Sequence, residues 1–216
     1  MKTARSLAGS IALWAWMLLL SACTVLPPPQ PDRTKYFVLT SIAGAKDPAA
    51  PSATVVSGTS NLVVGLGPIK FPQYLRRPEV VTRTSASEIS ISDTDRWAEP
   101  LDSGFTRVMS ENLSQILGTQ QIVVFPWYNS NRLDYQVIVN VRRFETDSKG
   151  QPELDAQWTI RNGHGTKLLA SRESDITTPA DPGDPSPSFG LSQAVGSLSR
   201  EIASQISQLN RQGQQG

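Results

Sequence analysis

The stretch DRWAEPLDSGFTRVMSENLSQILG, residues 95–118, carries the clearest structural signal in the sequence. Apolar residues recur in it at spacings of three and four: Leu101, Phe105, Val108, Met109, Leu113, Ile116 and Leu117. That spacing places them on one face of an α-helix. Pro100 suits the first helical position, where no amide donor is needed, and Gly118 suits the stop. The sequence therefore predicts a helix over residues 100–117, with its apolar face packed on a sheet.

A second amphipathic helix is predicted near the C-terminus, over residues 188–209. Its apolar stripe consists of Leu191, Val195, Leu198, Ile202, Ile206 and Leu209. The polar residues expected to face away from the core are Ser192, Gln193, Ser199, Arg200 and Ser207. Residues 211–216 are polar, so we expect a flexible tail there.

The rest of the chain has the signals of β-strands. Short β-branched or apolar runs cover residues 35–40, 61–69, 79–84, 88–92 and 121–125. Two later segments, 135–142 and 154–161, alternate apolar and polar residues, which predicts strands with one buried face each. Turn sequences follow each of them, which favours an antiparallel meander with a third strand at 168–176.

These elements fit one domain. The chain has 216 residues, of which 38% are hydrophobic and 18% are charged, a composition typical of globular proteins. The predicted fold class is α+β: a single domain over residues 35–210, in which two amphipathic helices pack on a largely antiparallel or mixed β-sheet. The loop predicted at 41–60 is rich in small residues and proline.

The N-terminus has the three parts of a secretory signal over residues 1–22: a basic start, a short apolar run and small residues. The apolar run is too short to span a membrane comfortably. The tetrapeptide Leu20-Ser21-Ala22-Cys23 resembles the lipobox of bacterial lipoproteins, which implies cleavage before Cys23 and lipidation of that residue. The alternative is an ordinary signal peptide followed by a free cysteine. Residues 23–34 are rich in proline, which predicts an extended, lipidated tether.

The residues that most enzymes and metal sites require are scarce. Cys23 is the only cysteine, and the only histidine, His164, lies between two glycines in a predicted turn. We therefore predict no catalytic residues, no metal and no cofactor, although carboxylates distant in the chain could still meet in space. The formal charge is +1, and removal of a signal peptide with Lys2 and Arg5 would lower it, which argues against binding to nucleic acid.

The segment FPQYLRRP, residues 71–78, is aromatic, basic and flanked by prolines. The candidate partner-binding residues in it are Tyr74, Leu75, Arg76 and Arg77. Two interpretations are open. The prolines prevent regular strand pairing, so the loop is presented to a partner, or Tyr74 and Leu75 cover the sheet edge and the arginines are solvated. Two adjacent arginines would also suit a phosphate group.

Three segments stand in a specific order and spacing: VVGLGPIKFPQYLRRPEVVTR at 63–83, DRWAEPLDSGFTRVMSENLSQIL at 95–117, and VVFPW at 123–127. Together they resemble the ABC-type transport auxiliary lipoproteins, the family of paraquat-inducible protein C. The resemblance implies a non-enzymatic lipoprotein on the periplasmic face of the outer membrane. The implied partners are an MCE-domain protein and inner-membrane transport components that move phospholipid or other hydrophobic molecules. Thr24, after the cysteine, fits outer-membrane sorting, and formation of a homo-oligomer is left open.

Two other functions compete with this interpretation. The first is an assembly lipoprotein for an outer-membrane barrel or a lipopolysaccharide machine, which would share the anchor and the small domain. The second is an envelope hydrolase that acts through acidic residues, which the scarcity of histidine and cysteine disfavours.

Overall fold

The computed structural model describes residues 31–42, 59–127, 132–179 and 186–215. The predicted signal peptide, Cys23 and most of the loop predicted at 41–60 lie outside these ranges. The chain divides into two units, residues 1–33 and residues 34–216. The second unit contains every helix and strand described below.

In chain order, the elements are β1 (Lys35–Phe37), β2 (Val64–Lys70), a 3-10 turn (Gln73–Leu75), β3 (Glu79–Arg83), β4 (Ile89–Trp97), α1 (Leu101–Leu117), β5 (Ile122–Val124), β6 (Tyr135–Asp147), β7 (Pro152–Asn162), β8 (Leu168–Thr177) and α2 (Pro187–Gly213). In the part of the chain that the structure describes, the strands form one eight-stranded sheet with parallel and antiparallel pairs. With two helices beside this sheet, the predicted α+β fold class is confirmed.

The sheet is assembled on β6, the longest strand. One edge of β6 pairs antiparallel with β7, which pairs antiparallel with β8, so the predicted meander is confirmed. Because β7 occupies that edge, β2 and β3 share the other one. β2 pairs parallel with β6 as far as Asn140, and β3 pairs with it only at Thr146 and Asp147. The edge of β6 therefore has a gap between Asn140 and Thr146.

The outer strands extend the sheet on either side of this gap. β5 pairs parallel with β2, while β4 pairs antiparallel with β3 and β1 pairs parallel with β4. β4 runs as far as Trp97, so residues 95–97 belong to a strand and do not lead into the helix. β1 is shorter than its predicted range of 35–40, because Leu39 leaves the sheet and is buried in the core.

The helix α1 buries the predicted apolar face. Each of its apolar residues named above is at most 6% exposed. Phe105 packs edge-on against two rings, with centroids 5.2 Å from Phe71 and 5.1 Å from Phe144. Gly118 ends the helix with a φ of 66°, as expected for a stop glycine. Pro100 is the residue before the helix, with a ψ of 129°, and not the first helical residue as predicted.

The helix α2 corrects one prediction about its polar face. Ser192, Ser199 and Ser207 are at most 8% exposed, although the pattern placed them toward solvent. Each hydroxyl donates a hydrogen bond to the carbonyl four residues earlier in the same helix, so burial leaves the hydroxyl satisfied. These small side chains lie on a broad buried face that contacts α1, β6, β7 and β8. The helix also continues to Gly213, beyond the predicted end at 209.

Candidate functional site

The loop that joins β2 to β3 lies at the gap along β6. It contains the 3-10 turn, in which the amide of Leu75 donates to the carbonyl of Pro72 at 3.2 Å and the amide of Arg76 to that of Gln73 at 3.1 Å. The turn directs successive side chains to different surroundings. Leu75 is 2% exposed and belongs to the core, Tyr74 is partly buried, and Arg76 is exposed.

Tyr74 is held by a buried carboxylate in the gap. Glu145 is 1% exposed, and its Oε2 accepts hydrogen bonds from the Tyr74 hydroxyl and from the amide of Phe144, each at 2.9 Å. The other oxygen, Oε1, accepts from Nε of Arg83 at 2.6 Å. Arg83 also donates to the tyrosine hydroxyl at 3.2 Å, and its guanidinium lies 5.7 Å from the centre of the ring. We call Tyr74, Arg83 and Glu145 the buried triad.

Burial, followed by the negative charge of Glu145, raises the pKa of Tyr74 to about 12. The hydroxyl therefore stays protonated at neutral pH and serves as a donor to the carboxylate. Arg83 supplies the charge that compensates a carboxylate withdrawn from water. The buried triad fixes the position of the loop and contains no activated nucleophile.

Sequence reasoning missed Glu145 because the alternation along β6 is broken. A register shift lies between Val141 and Arg143, so that Phe144, Glu145 and Thr146 are all buried in succession. A strict period of two cannot anticipate three consecutive buried residues. No other signal in the sequence connects Glu145 with Tyr74.

The two arginines of the loop lack the partners that Tyr74 has. Among the described residues, the guanidinium of Arg76 makes neither an ion pair nor a hydrogen bond. Arg77 is partly buried, and its Nε is a buried donor without an acceptor in that same part of the chain. The structure thus separates the candidate residues into two that attach the loop to the sheet and two whose guanidinium groups make no hydrogen bond with the described part of the chain. Partner binding by these residues stays a prediction.

A cavity of about 430 Å³ lies between these arginines and the start of α1. Pro78, Trp97 and Leu101 give it apolar walls. Two carboxylates also line it, Glu99 and Asp102. No pattern in the sequence indicates this cavity, because its walls come from segments that are distant in the chain and meet through the pairing of β3 with β4.

Both carboxylates of the cavity are already engaged. Glu99 Oε1 accepts a hydrogen bond from Nη2 of Arg107 at 2.6 Å, and Asp102 Oδ1 accepts one from the amide of Ser103 at 2.9 Å. The hydrogen bond with Glu99 is the main cause of a raised pKa for Arg107. In the described residues, neither carboxylate accepts a hydrogen bond from Arg76 or Arg77, although all four residues line the cavity.

A larger groove, of about 830 Å³, lies between α1 and β5. Its apolar side includes Val124 and Phe125, which are 42% and 47% exposed. Its helical side is polar and includes Arg107 and Glu111, which pair with each other at 3.4 Å. Two carboxylates line the groove: Glu111, which is paired with Arg107, and Asp102, which accepts the amide of Ser103.

Within the described ranges, no group of three or more histidine, cysteine, aspartate or glutamate side chains could hold a metal ion. His164 is exposed in the turn between β7 and β8, so the turn predicted around it is confirmed. None of the helices in the described residues has the length and apolar character needed to cross a membrane.

The model of the family described as ABC-type transport auxiliary lipoprotein component matches residues 46–203. The chain belongs to this family. The match confirms the resemblance found in the sequence, and it includes the loop, the buried triad and the cavity. No curated protein sequence matches the chain significantly.

Two solved structures are similar in fold. An uncharacterized protein has a TM-score of 0.62 and 22% sequence identity, with 80% of this chain and 98% of the other covered. Protein XCC0632 from Xanthomonas campestris has a TM-score of 0.60 and 16% identity, with 84% and 100% covered. At these identities the likeness concerns the fold alone.

Proposed function

We propose that this chain is a non-enzymatic auxiliary lipoprotein of an MCE-type intermembrane lipid transport system, anchored on the periplasmic face of the outer membrane. The observation that carries the proposal is the family match over residues 46–203. An auxiliary component needs a membrane attachment and a surface for the transport machinery, and it needs no catalytic site.

The attachment is assigned to Cys23, lipidated after removal of residues 1–22. Two or more acyl chains hold a protein stably on a bilayer, whereas one chain is marginal. The tether of residues 23–34 would separate the bilayer from the folded unit that starts at Thr34. Thr24 supports sorting to the outer membrane.

The surface for the machinery is assigned to the loop at residues 74–77. Tyr74 and Leu75 position this loop through the buried triad and the core, and Arg76 presents an exposed, unpaired guanidinium. Arginine contributes strongly to protein interfaces when a partner removes it from water. The MCE-domain protein is the partner assigned to this surface.

Crosslinking in native membranes followed by purification of the tagged full chain tests the proposal. We expect an MCE-domain protein to co-purify with the chain from the outer-membrane fraction. The Cys23→Ser variant should lose the lipid, remain unprocessed or become soluble, and no longer fractionate with the outer membrane. Arg76→Glu should keep the outer-membrane location and reduce recovery of the partner by about tenfold, equivalent to ~1.4 kcal/mol of binding.

The control for Arg76→Glu is Arg172→Glu, because Arg172 is an exposed arginine on β8. Recovery of an outer-membrane barrel or of lipopolysaccharide machinery, without an MCE-domain protein, would contradict the transport role. Equal recovery with the two charge reversals would contradict docking through the loop.

A further inference from the structure

The Nε of Arg77 is a buried donor for which the described residues offer no acceptor. Buried polar groups in folded proteins are nearly always hydrogen-bonded, and a charged group without a partner is especially unfavourable. Arg77 lines the cavity beside α1. An acceptor located in that cavity would satisfy the atom.

An anion with several oxygens suits the donors of a guanidinium well. A guanidinium presents its donors in a planar fork that matches phosphate and carboxylate oxygens. Arg76 lines the same cavity, and its guanidinium makes no ion pair or hydrogen bond in the described part of the chain. Two adjacent guanidinium groups with free donors favour a phosphate group, which offers more oxygen acceptors than a carboxylate.

The carboxylates in the cavity wall do not take the place of this ligand. Glu99 is paired with Arg107, and an oxygen of Asp102 accepts the amide of Ser103. Glu79, the acid nearest to Arg77 in the sequence, is paired with Arg96 at 2.8 Å. The hydrogen bond from Arg96 and, to a smaller extent, the charge of Arg77 lower the pKa of Glu79. Within the described residues no hydrogen bond joins Arg77 to an acid, so its Nε remains available for a ligand.

We propose that the cavity between Arg76, Arg77 and the start of α1 binds a phosphate group. Its volume of about 430 Å³ falls within the range of roughly 300–1,000 Å³ typical of small-molecule sites. Trp97 and Leu101 are buried apolar residues in its wall, so the site suits a phosphate attached to an apolar body. One source of such a phosphate is a phospholipid headgroup, which is expected if the chain has the lipid-transport role proposed above. Soluble phosphate is the other source.

Phosphorus NMR titrations of the detergent-solubilised full chain test the site with two probes, inorganic phosphate and dihexanoyl phosphatidylglycerol. The test variant is Arg77→Gln, and the matched control is Arg172→Gln, which removes the same charge from an exposed position on β8. Arg77→Lys keeps the charge but removes the Nε donor. Thermal melts of all variants show whether each one is folded.

We expect saturable binding of at least one probe, a loss of about tenfold or more in Arg77→Gln, and no change in Arg172→Gln. Arg77→Lys should bind more weakly than the unaltered chain, because it cannot supply the fork. Tighter binding of phosphatidylglycerol than of phosphate would identify a lipid headgroup, and equal binding would identify a soluble phosphate. Either result supports the site.

Absence of saturable binding by both probes in the folded chain would overturn the proposal. Equal affinities for Arg77→Gln and Arg172→Gln would do the same. The outcome is independent of partner recovery: phosphate binding in a chain that captures no MCE-domain protein supports the site and contradicts only the transport role.

Discussion

The two halves of the loop between β2 and β3 differ in how their polar groups are satisfied. On the inner half, the hydroxyl of Tyr74 joins the guanidinium of Arg83, at the end of β3, in satisfying a carboxylate that is 1% exposed. On the outer half, Arg76 and Arg77 have donors without acceptors in the described part of the chain. Adjacent residues of one loop thus differ in their surroundings. The inner half contributes hydrogen bonds to the fold, and the binding proposed above is assigned to the outer half.

The largest effect is expected where the inner half of the loop meets β3, in the variant Arg83→Met. Removal of this arginine leaves Glu145 buried without a compensating charge, which should reduce the free energy of unfolding by about 3–5 kcal/mol. Urea melts of residues 34–216 measure the change. The control is Arg142→Met, because Arg142 pairs with Asp155 and Glu173 at the surface, where water screens both pairs, so this variant should lose much less stability than Arg83→Met. Similar losses in the two variants would show that the burial of Glu145 has no special consequence.

A smaller loss is expected for Tyr74→Phe, which removes one hydroxyl and keeps the ring. Hydrogen bonds to charged groups contribute about 1.5–3 kcal/mol, and Glu145 retains its bonds with Arg83 and the amide of Phe144. The same urea melts apply, with Tyr36→Phe as the control, since Tyr36 is 65% exposed. If both variants had the midpoint of the unaltered chain, the phenol would not be part of the buried triad.

The raised pKa of Tyr74 predicts a dependence on alkaline pH. Its folded value is about 12, whereas the ordinary value is 10.0, so the unfolded chain loses this proton first. The contribution to stability is complete below pH 10 and declines as the pH rises from 10 to 12. Melting temperatures measured across this range should fall more steeply for the unaltered chain than for Tyr74→Phe. Parallel curves would contradict the shift.

The sequence predicted most of the fold because its helices and meander are specified by local patterns. The apolar face of α1, the strands β6 and β7 and the turn at His164 all follow from spacing or turn residues. The burial of the serines in α2 was not predicted. A serine whose hydroxyl bonds to a carbonyl of its own helix can be buried like a small apolar residue.

The site was harder to predict than the fold. Composition and flanking prolines singled out residues 74–77, but they could not distinguish the inward Tyr74 from the outward Arg76. That distinction depends on the gap along β6 and on Glu145, which a register shift turns inward. Such a shift arises from tertiary pairing and leaves no period in the sequence. The cavity likewise depends on chain segments that only the folded sheet brings together.

The most direct measurement of the division between the two halves is the free energy of unfolding of the double variant Arg76→Ala, Arg77→Ala. Because neither guanidinium has a hydrogen-bonded partner in the described residues, we expect a change of less than about 0.5 kcal/mol, or a slight gain from removal of the buried Nε donor. The same protein should lose phosphate binding by tenfold or more, whereas Tyr74→Phe should lose stability and retain binding while folded. A loss of stability in the double variant as large as that in Tyr74→Phe, with phosphate binding unchanged, would contradict the account.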